Sequence, residues 1–127
     1  MQLEGIDHVA LSVTDVERTA QWYIEVLGFE HRHKDVWGGV PTFIGKGTTA
    51  LALFPLRSNA RSTPNTAAPI RMLHLAFRAT RQNFLRAQEE LKRRGIEFEF
   101  QDHDISHSIY FHDPNGHELE ITTYELD

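Results

Sequence analysis

Residues 74–77, HLAF, restate residues 8–11, HVAL, and what lies downstream of each copy follows the same order. From Ile6 to Val13 the apolar Val9, Leu11 and Val13 alternate with His8, Ala10 and Ser12, the two-residue period of a half-buried strand. A helix is predicted next. Thr14 with Glu17 forms a capping-box pattern, and Val16, Ala20, Tyr23 and Leu27 keep helical spacing. Gly28 is placed to end that helix in a left-handed conformation. Three strand candidates follow at 29–34, 41–44 and 49–54, with the GKG of residues 45–47 as the turn joining the last two.

The second copy runs the same way. A helix is predicted from about Thr80 to Arg94 on Phe84, Ala87 and Leu91, and RGIE aligns with LGFE so that Gly95 takes the place of Gly28. The last hairpin reads as Ser108 to Phe111, the DPNG turn of residues 113–116, and a strand from Glu118 to Tyr124. Between the copies, RSNARSTPNTAAP (57–69) has no hydrophobic period and reads as a connector or a functional lid. The pattern predicts an α+β fold of two βαβββ modules, about 4–56 and 70–127, within a single domain spanning 1–127. Neither half is expected to bury enough surface alone, so the two should pack about a pseudo-twofold.

Composition narrows the function. The 127 residues carry 13 Lys plus Arg, 18 Asp plus Glu and a formal charge of -5, which speaks against nucleic acid or an anionic membrane as partner. A small molecule is the expected partner. No apolar run approaches the roughly 18 residues of a membrane span, and the opening MQLEGIDHVA lacks the layout of a signal peptide, so a cytoplasmic location is expected. With no cysteine, only His, Asp and Glu remain as strong metal ligands, and there are eight histidines.

Equivalent positions of a duplicated fold lie near its symmetry axis, so His8 and His74 are expected to share one concavity, with Ala10 and Ala76 leaving room beside them. On the last strand Leu119 and Ile121 take the apolar face, leaving Glu118, Glu120 and Thr122 together; Glu120, deeper in the strand, is the better third arm.

DHVALSV, the WYIEVLGFE helix end, LHLAF and YFHDPNGHELEI together resemble the vicinal oxygen chelate superfamily, which spans glyoxalase I, bleomycin-resistance proteins, fosfomycin-resistance thiol transferases and extradiol dioxygenases. The resemblance covers nearly the whole chain and implies a cup-shaped mixed sheet and, commonly, a homodimer. It also implies that His8, His74 and Glu120 bind one divalent cation. Two imidazoles and a carboxylate suit Fe(II), Mn(II) or Zn(II) and leave positions where two adjacent substrate oxygens can chelate.

Among the subclasses, glyoxalase I adds a fourth ligand on the last strand of the first module, but TTALALF (48–54) has no acid, amide or histidine. The phosphonate-binding thiol transferases use basic side chains from the second module and a C-terminal extension. Here FQDHDISHS (100–108) has no Lys or Arg and the sequence stops at Asp127. The run His103, Ile109, Tyr110, Asp113, Pro114, Gly116, Glu120 is most similar to the extradiol signature, with Gln101 as the departure. A ring-cleaving dioxygenase is therefore the preferred subclass, with Tyr110 and His103 as the proton-handling candidates. The alternatives are a glyoxalase-type lyase or isomerase and a metal-free sequestering protein like the bleomycin-resistance proteins. His31, His33, His112 and His117 read as surface residues, and His107 as a solvated loop histidine. Trp37 and Phe43 are candidates to wall an apolar pocket, and the Arg86, Lys92, Arg93, Arg94 group around Glu89 and Glu90 reads as a solvated helix face.

Overall fold

Alternation makes the first strand, β1 (Val9–Val13), and its buried side chains Leu11 and Val13 give the following helix a surface to cover. The computed structural model describes residues 1–2, 4–56 and 72–127, so the 57–69 connector lies outside the described residues. Helix α1 (Val16–Leu27) starts one residue later than the capping box suggests: Asp15 is the N-cap, its carboxylate accepting from the Arg18 amide at 3.1 Å. A carboxylate at that place also faces the positive end of the helix dipole, which favours it over the Thr14 hydroxyl. Gly28 closes the helix at φ 72°, the left-handed geometry that a residue without Cβ adopts without strain.

After Gly28 the strands are β2 (Glu30–Arg32), β3 (Thr42–Lys46) and β4 (Thr49–Pro55), in the sheet order β1-β4-β3-β2. The predicted 45–47 turn is displaced because Gly45 and Lys46 still pair with Ala50 and Thr49. Gly45 is needed as a strand residue: a Cβ there would lie 2.6 Å from the Thr49 carbonyl oxygen and 2.7 Å from the Arg32 guanidinium. Under α1, Leu11, Val13, Tyr23, Ile44, Leu51 and Leu53 form the core of this unit. Each large aliphatic side chain buried there contributes roughly 1.5–3 kcal/mol.

The second unit repeats the plan as β5 (Leu75–Arg78), α2 (Arg81–Arg93), β6 (Glu99–Asp102), β7 (His107–His112) and β8 (Glu118–Thr123), ordered β5-β8-β7-β6. Thr80 caps α2 by accepting from the Asn83 amide at 3.2 Å, and the Arg81 amide donates to Glu125 at 3.0 Å. Arg81 Nη1 also donates to the Leu126 carbonyl at 2.9 Å, tying the last residues of the chain to the start of this helix. Phe84 and Leu91 pack from α2 toward Ile109, Phe111 and Leu119 in the core of this unit. The basic helix face is solvated as expected, with Arg93 and Arg94 both paired to Glu90. The DPNG turn is held by Asp113, buried, whose Oδ1 accepts from the amides of Asn115 at 2.8 Å and His117 at 2.9 Å.

The chain divides into two compact units, Met1–Ala67 and Ala68–Asp127. In each, a parallel pair, β1 with β4 and β5 with β8, brings the unit's first strand beside its last.

Candidate functional site

Strand register places the polar groups of the second unit. Ala76 pairs with Glu120, and Glu120 pairs with Tyr110 across β7, so these three share one row and one face. Ser108 pairs with Thr122 two residues along, on that same face. His74 stands one residue before β5, and its Nε2 lies 3.0 Å from Glu120 Oε1.

Glu120 stands against the second-module histidine, and it is not a solvated acid. It is 8 % exposed. A carboxylate leaves water at such a position only when its oxygens are partnered. Oε2 accepts a 2.6 Å hydrogen bond from Ser108 Oγ, which in turn lies 3.0 Å from Thr122 Oγ1. Oε1 faces the imidazole.

Tyr110 and His103 are brought together as well. Their Oη and Nε2 atoms are 2.9 Å apart, and the Tyr110 ring stands edge-on to the His74 ring with centroids 5.8 Å apart. Desolvation raises the Tyr110 phenol above its ordinary value, and the neighbouring Glu120 charge raises it further. The hydroxyl therefore stays protonated through the neutral range.

In the first unit His8 also stands one residue before its strand, the counterpart of His74. Its Nδ1 is 2.9 Å from Asp7 Oδ2. A carboxylate on Nδ1 fixes the tautomer that leaves the Nε2 lone pair for a cation, as carboxylate partners of metal-bound histidines do. His8 belongs to the first unit and the His74–Glu120 pair to the second; among the described residues no cluster of three or more potential ligands occurs.

The residues present fit a divalent ion. Two donors each roughly 2.1 Å from an octahedral ion, and at a right angle about it, stand about 3.0 Å apart. That is the His74–Glu120 separation. One imidazole nitrogen and one carboxylate oxygen, with the second oxygen anchored by a buried hydroxyl, is a donor set for Mn(II), Fe(II) or Zn(II).

Two histidines need correction. His117, expected at the surface, places Nδ1 2.7 Å from the buried Asp113 carboxylate, a pairing that the DPNGH spacing across a tight turn makes possible. His33 is exposed, as expected, with its ring 5.1 Å from Phe43 and 5.5 Å from Trp37. His107 lies in β7 rather than a loop and sits 3.6 Å from Asp102. Trp37 lies in a short turn (Trp37–Gly39) rather than a strand, with its ring 5.9 Å from Phe43.

Duplicated βαβββ units carrying a histidine before each first strand and a buried glutamate on the last define a vicinal-oxygen-chelate type of protein. The chain belongs to the Glyoxalase/Bleomycin resistance protein/Dioxygenase superfamily, which it matches over residues 5–121. It is similar to the metallothiol transferase FosB of Staphylococcus epidermidis, 27 % identical over 99 % of this chain and 86 % of the relative. It is also similar to the glutathione transferase FosA of Serratia marcescens, 24 % identical over 94 % of this chain and 80 % of the relative. Among solved structures, a glyoxalase/dioxygenase from Nostoc punctiforme is 26 % identical with a TM-score of 0.75, covering 94 % of this chain and 90 % of that one.

These likenesses bear out a metal-dependent enzyme of the superfamily. They do not support the ring-cleaving subclass. The run from His103 to Glu120 that favoured it is built around a turn and a strand pair common to the fold, so it reports architecture more than reaction. The missing fourth ligand is explained by register: Ala52, the partner of Ala10, occupies in the first unit the place that Glu120 holds beside Ala76. No helix among the described residues is long and apolar enough to cross a membrane.

Proposed function

We propose that His8, His74 and Glu120 are ligands of a divalent ion, Mn(II), Fe(II) or Zn(II). The enzyme would act on a small molecule that chelates the ion through adjacent oxygens, and a homodimer belongs to the same reading. The observation that carries it is the 3.0 Å His74–Glu120 contact with Ser108 anchoring the far carboxylate oxygen. When bound, the ion supplies Lewis acidity to the chelated oxygens.

The protein's own groups do the rest. His74 and Glu120 present nitrogen and oxygen donors on one side, and Ala76 keeps the neighbouring position on the row small. The Tyr110 hydroxyl, backed by His103, holds the proton that a substrate oxygen would take as charge builds on it, and His103 restores it.

Transfer of a thiol to a small electrophile is the reaction class we favour, supported by the similarity to metallothiol and glutathione transferases over nearly the whole chain. The absence of Lys and Arg from residues 100–108 points to substrates other than a doubly charged phosphonate. The test is Mn(II) loading followed by two assays: thiol consumption with a panel of oxygenated electrophiles, and oxygen uptake with catechols. Thiol consumption that needs the metal is expected. Failure of the wild-type protein to bind any of the three ions overturns the reading, and metal-dependent oxygen uptake overturns the reaction class.

A further inference from the structure

The DPNG turn between β7 and β8 holds the one asparagine of the sequence that is followed by glycine, Asn115 before Gly116. The turn is firmly fastened. The Gly116 amide donates to the Asp113 carbonyl at 3.0 Å, and the Asp113 amide donates to the His117 carbonyl at 3.0 Å. Asp113 Oδ1 accepts from the amides of Asn115 and His117, and Oδ2 lies 2.7 Å from His117 Nδ1, with the carboxylate itself closed off from solvent. The outer side of the turn is open: Pro114 and Gly116 are exposed, Asn115 is half-buried, and a Cβ placed on Gly116 would meet nothing within 4 Å.

Such a pair can react with itself. The Gly116 nitrogen, after giving its proton to hydroxide, attacks Asn115 Cγ; the new N–Cγ bond closes a succinimide ring, and the Cγ–Nδ2 bond breaks to release ammonia, which takes its third proton from water. Water then opens the ring at either carbonyl, leaving aspartate or, with the main chain rerouted through the side chain, isoaspartate. Glycine leaves that nitrogen unshielded, whereas Asn59, Asn65 and Asn83 precede Ala60, Thr66 and Phe84. Two features of the closed turn oppose the attack. The hydrogen that must be lost is the one donated to the Asp113 carbonyl, and the Asp113 carboxylate, bonded to the amides on either side, disfavours negative charge on the nitrogen between them.

We propose that Asn115 is a self-modification site latched by Asp113: the closed turn protects the Asn115–Gly116 bond, and each opening of the turn exposes it to succinimide formation. Isoaspartate lengthens the main chain through the turn by a methylene group, so the bonds that Asp113 makes on both sides no longer match and the opening becomes one-way. The strands so released carry Ser108 and Tyr110 on one side and Glu120 and Thr122 on the other. The chemistry needs neither a metal nor a partner.

The test follows residue 115 of the full chain at mildly alkaline pH, folded and in urea, by peptide mapping and isoaspartyl methyltransferase labelling. Hydrogen bonds to a charged acceptor are strong enough that the folded chain should react at least about tenfold more slowly than the unfolded one. Asp113→Ala should raise the folded rate by about tenfold or more. Hydrogen exchange at the Gly116 amide should rise with it, because one opening frees that hydrogen for both events. Should Asp113→Ala fail to fold, the wild-type protein in urea below its unfolding transition takes its place, with exchange at Gly116 and isoaspartate formation expected to quicken in step. Equal rates in the folded and unfolded chain, or exchange at Gly116 that quickens with no gain in isoaspartate, overturns the proposal. Asn115→Asp, which adds the charge without rerouting the chain, should melt close to wild type and the isoaspartyl form clearly lower; equal melting of the two overturns the one-way step.

Discussion

The two units share strand order and register, yet their corresponding faces carry opposite chemistry. Phe43 and Ala52 occupy in the first unit the positions that Tyr110 and Glu120 occupy in the second. Even the ring geometry is repeated, His8 edge-on to Phe43 and His74 edge-on to Tyr110. One scaffold therefore supports a dry aromatic face and a hydrogen-bonded polar face, and two residues per unit decide which. A buried Glu120 needs Ser108 and His74 as partners, whereas Ala52 needs none, so the polar version demands a whole network and the apolar version only small side chains.

The most severe way to break that asymmetry is Glu120→Ala, which gives the second unit the residue of the first. Metal affinity should fall by more than the roughly 10–100-fold that loss of an outer-shell partner costs, read by calorimetry with Mn(II) or Zn(II). Unchanged affinity would remove Glu120 from the site.

Tyr110→Phe makes the corresponding ring identical in both units. Proton transfer by a positioned side chain is worth about 10²–10⁴-fold, so turnover should drop on that scale with metal affinity preserved. An equal fall in metal binding would show the hydroxyl to be structural. Ser108→Ala, which unfastens Oε2 of Glu120, should weaken metal binding by roughly 10–100-fold while Ser108→Thr restores part of it.

The smallest effects test whether the units are alike outside the site. Asp15→Ala and Thr80→Ala remove equivalent helix caps and should each cost about 1 kcal/mol, seen as a few degrees in thermal unfolding. Markedly unequal losses would show that the two helices are held by different means.

Much of this was legible in the residues because the signals were periodic or local. Alternation through Val9, Leu11 and Val13, the spacing of Phe84 and Leu91, and glycines at 28 and 95 report the backbone directly. His74 was found by aligning the copies and Glu120 by the alternation of the last strand, which puts it on the face opposite Leu119 and Ile121. What escaped depends on where loops travel. His103 reaches Tyr110 because the loop folds back through the His103 amide to the Ser106 carbonyl, with Asp104 at φ 68°, and no spacing announces that path. His33 and Trp37 reach Phe43 through left-handed residues that ordinary sequence preferences argue against. The reaction subclass was not legible for a related reason: discrimination between substrates sits in side chains whose positions only the folded loops define.

The tie between Arg81 and the final residues has a practical use. Because the Arg81 amide gives its hydrogen to Glu125 and its guanidinium holds the Leu126 carbonyl, deuterium should enter that single backbone site only when the end of the chain lets go of the helix. Its rate would report tail release separately from the unfolding of the sheet behind it.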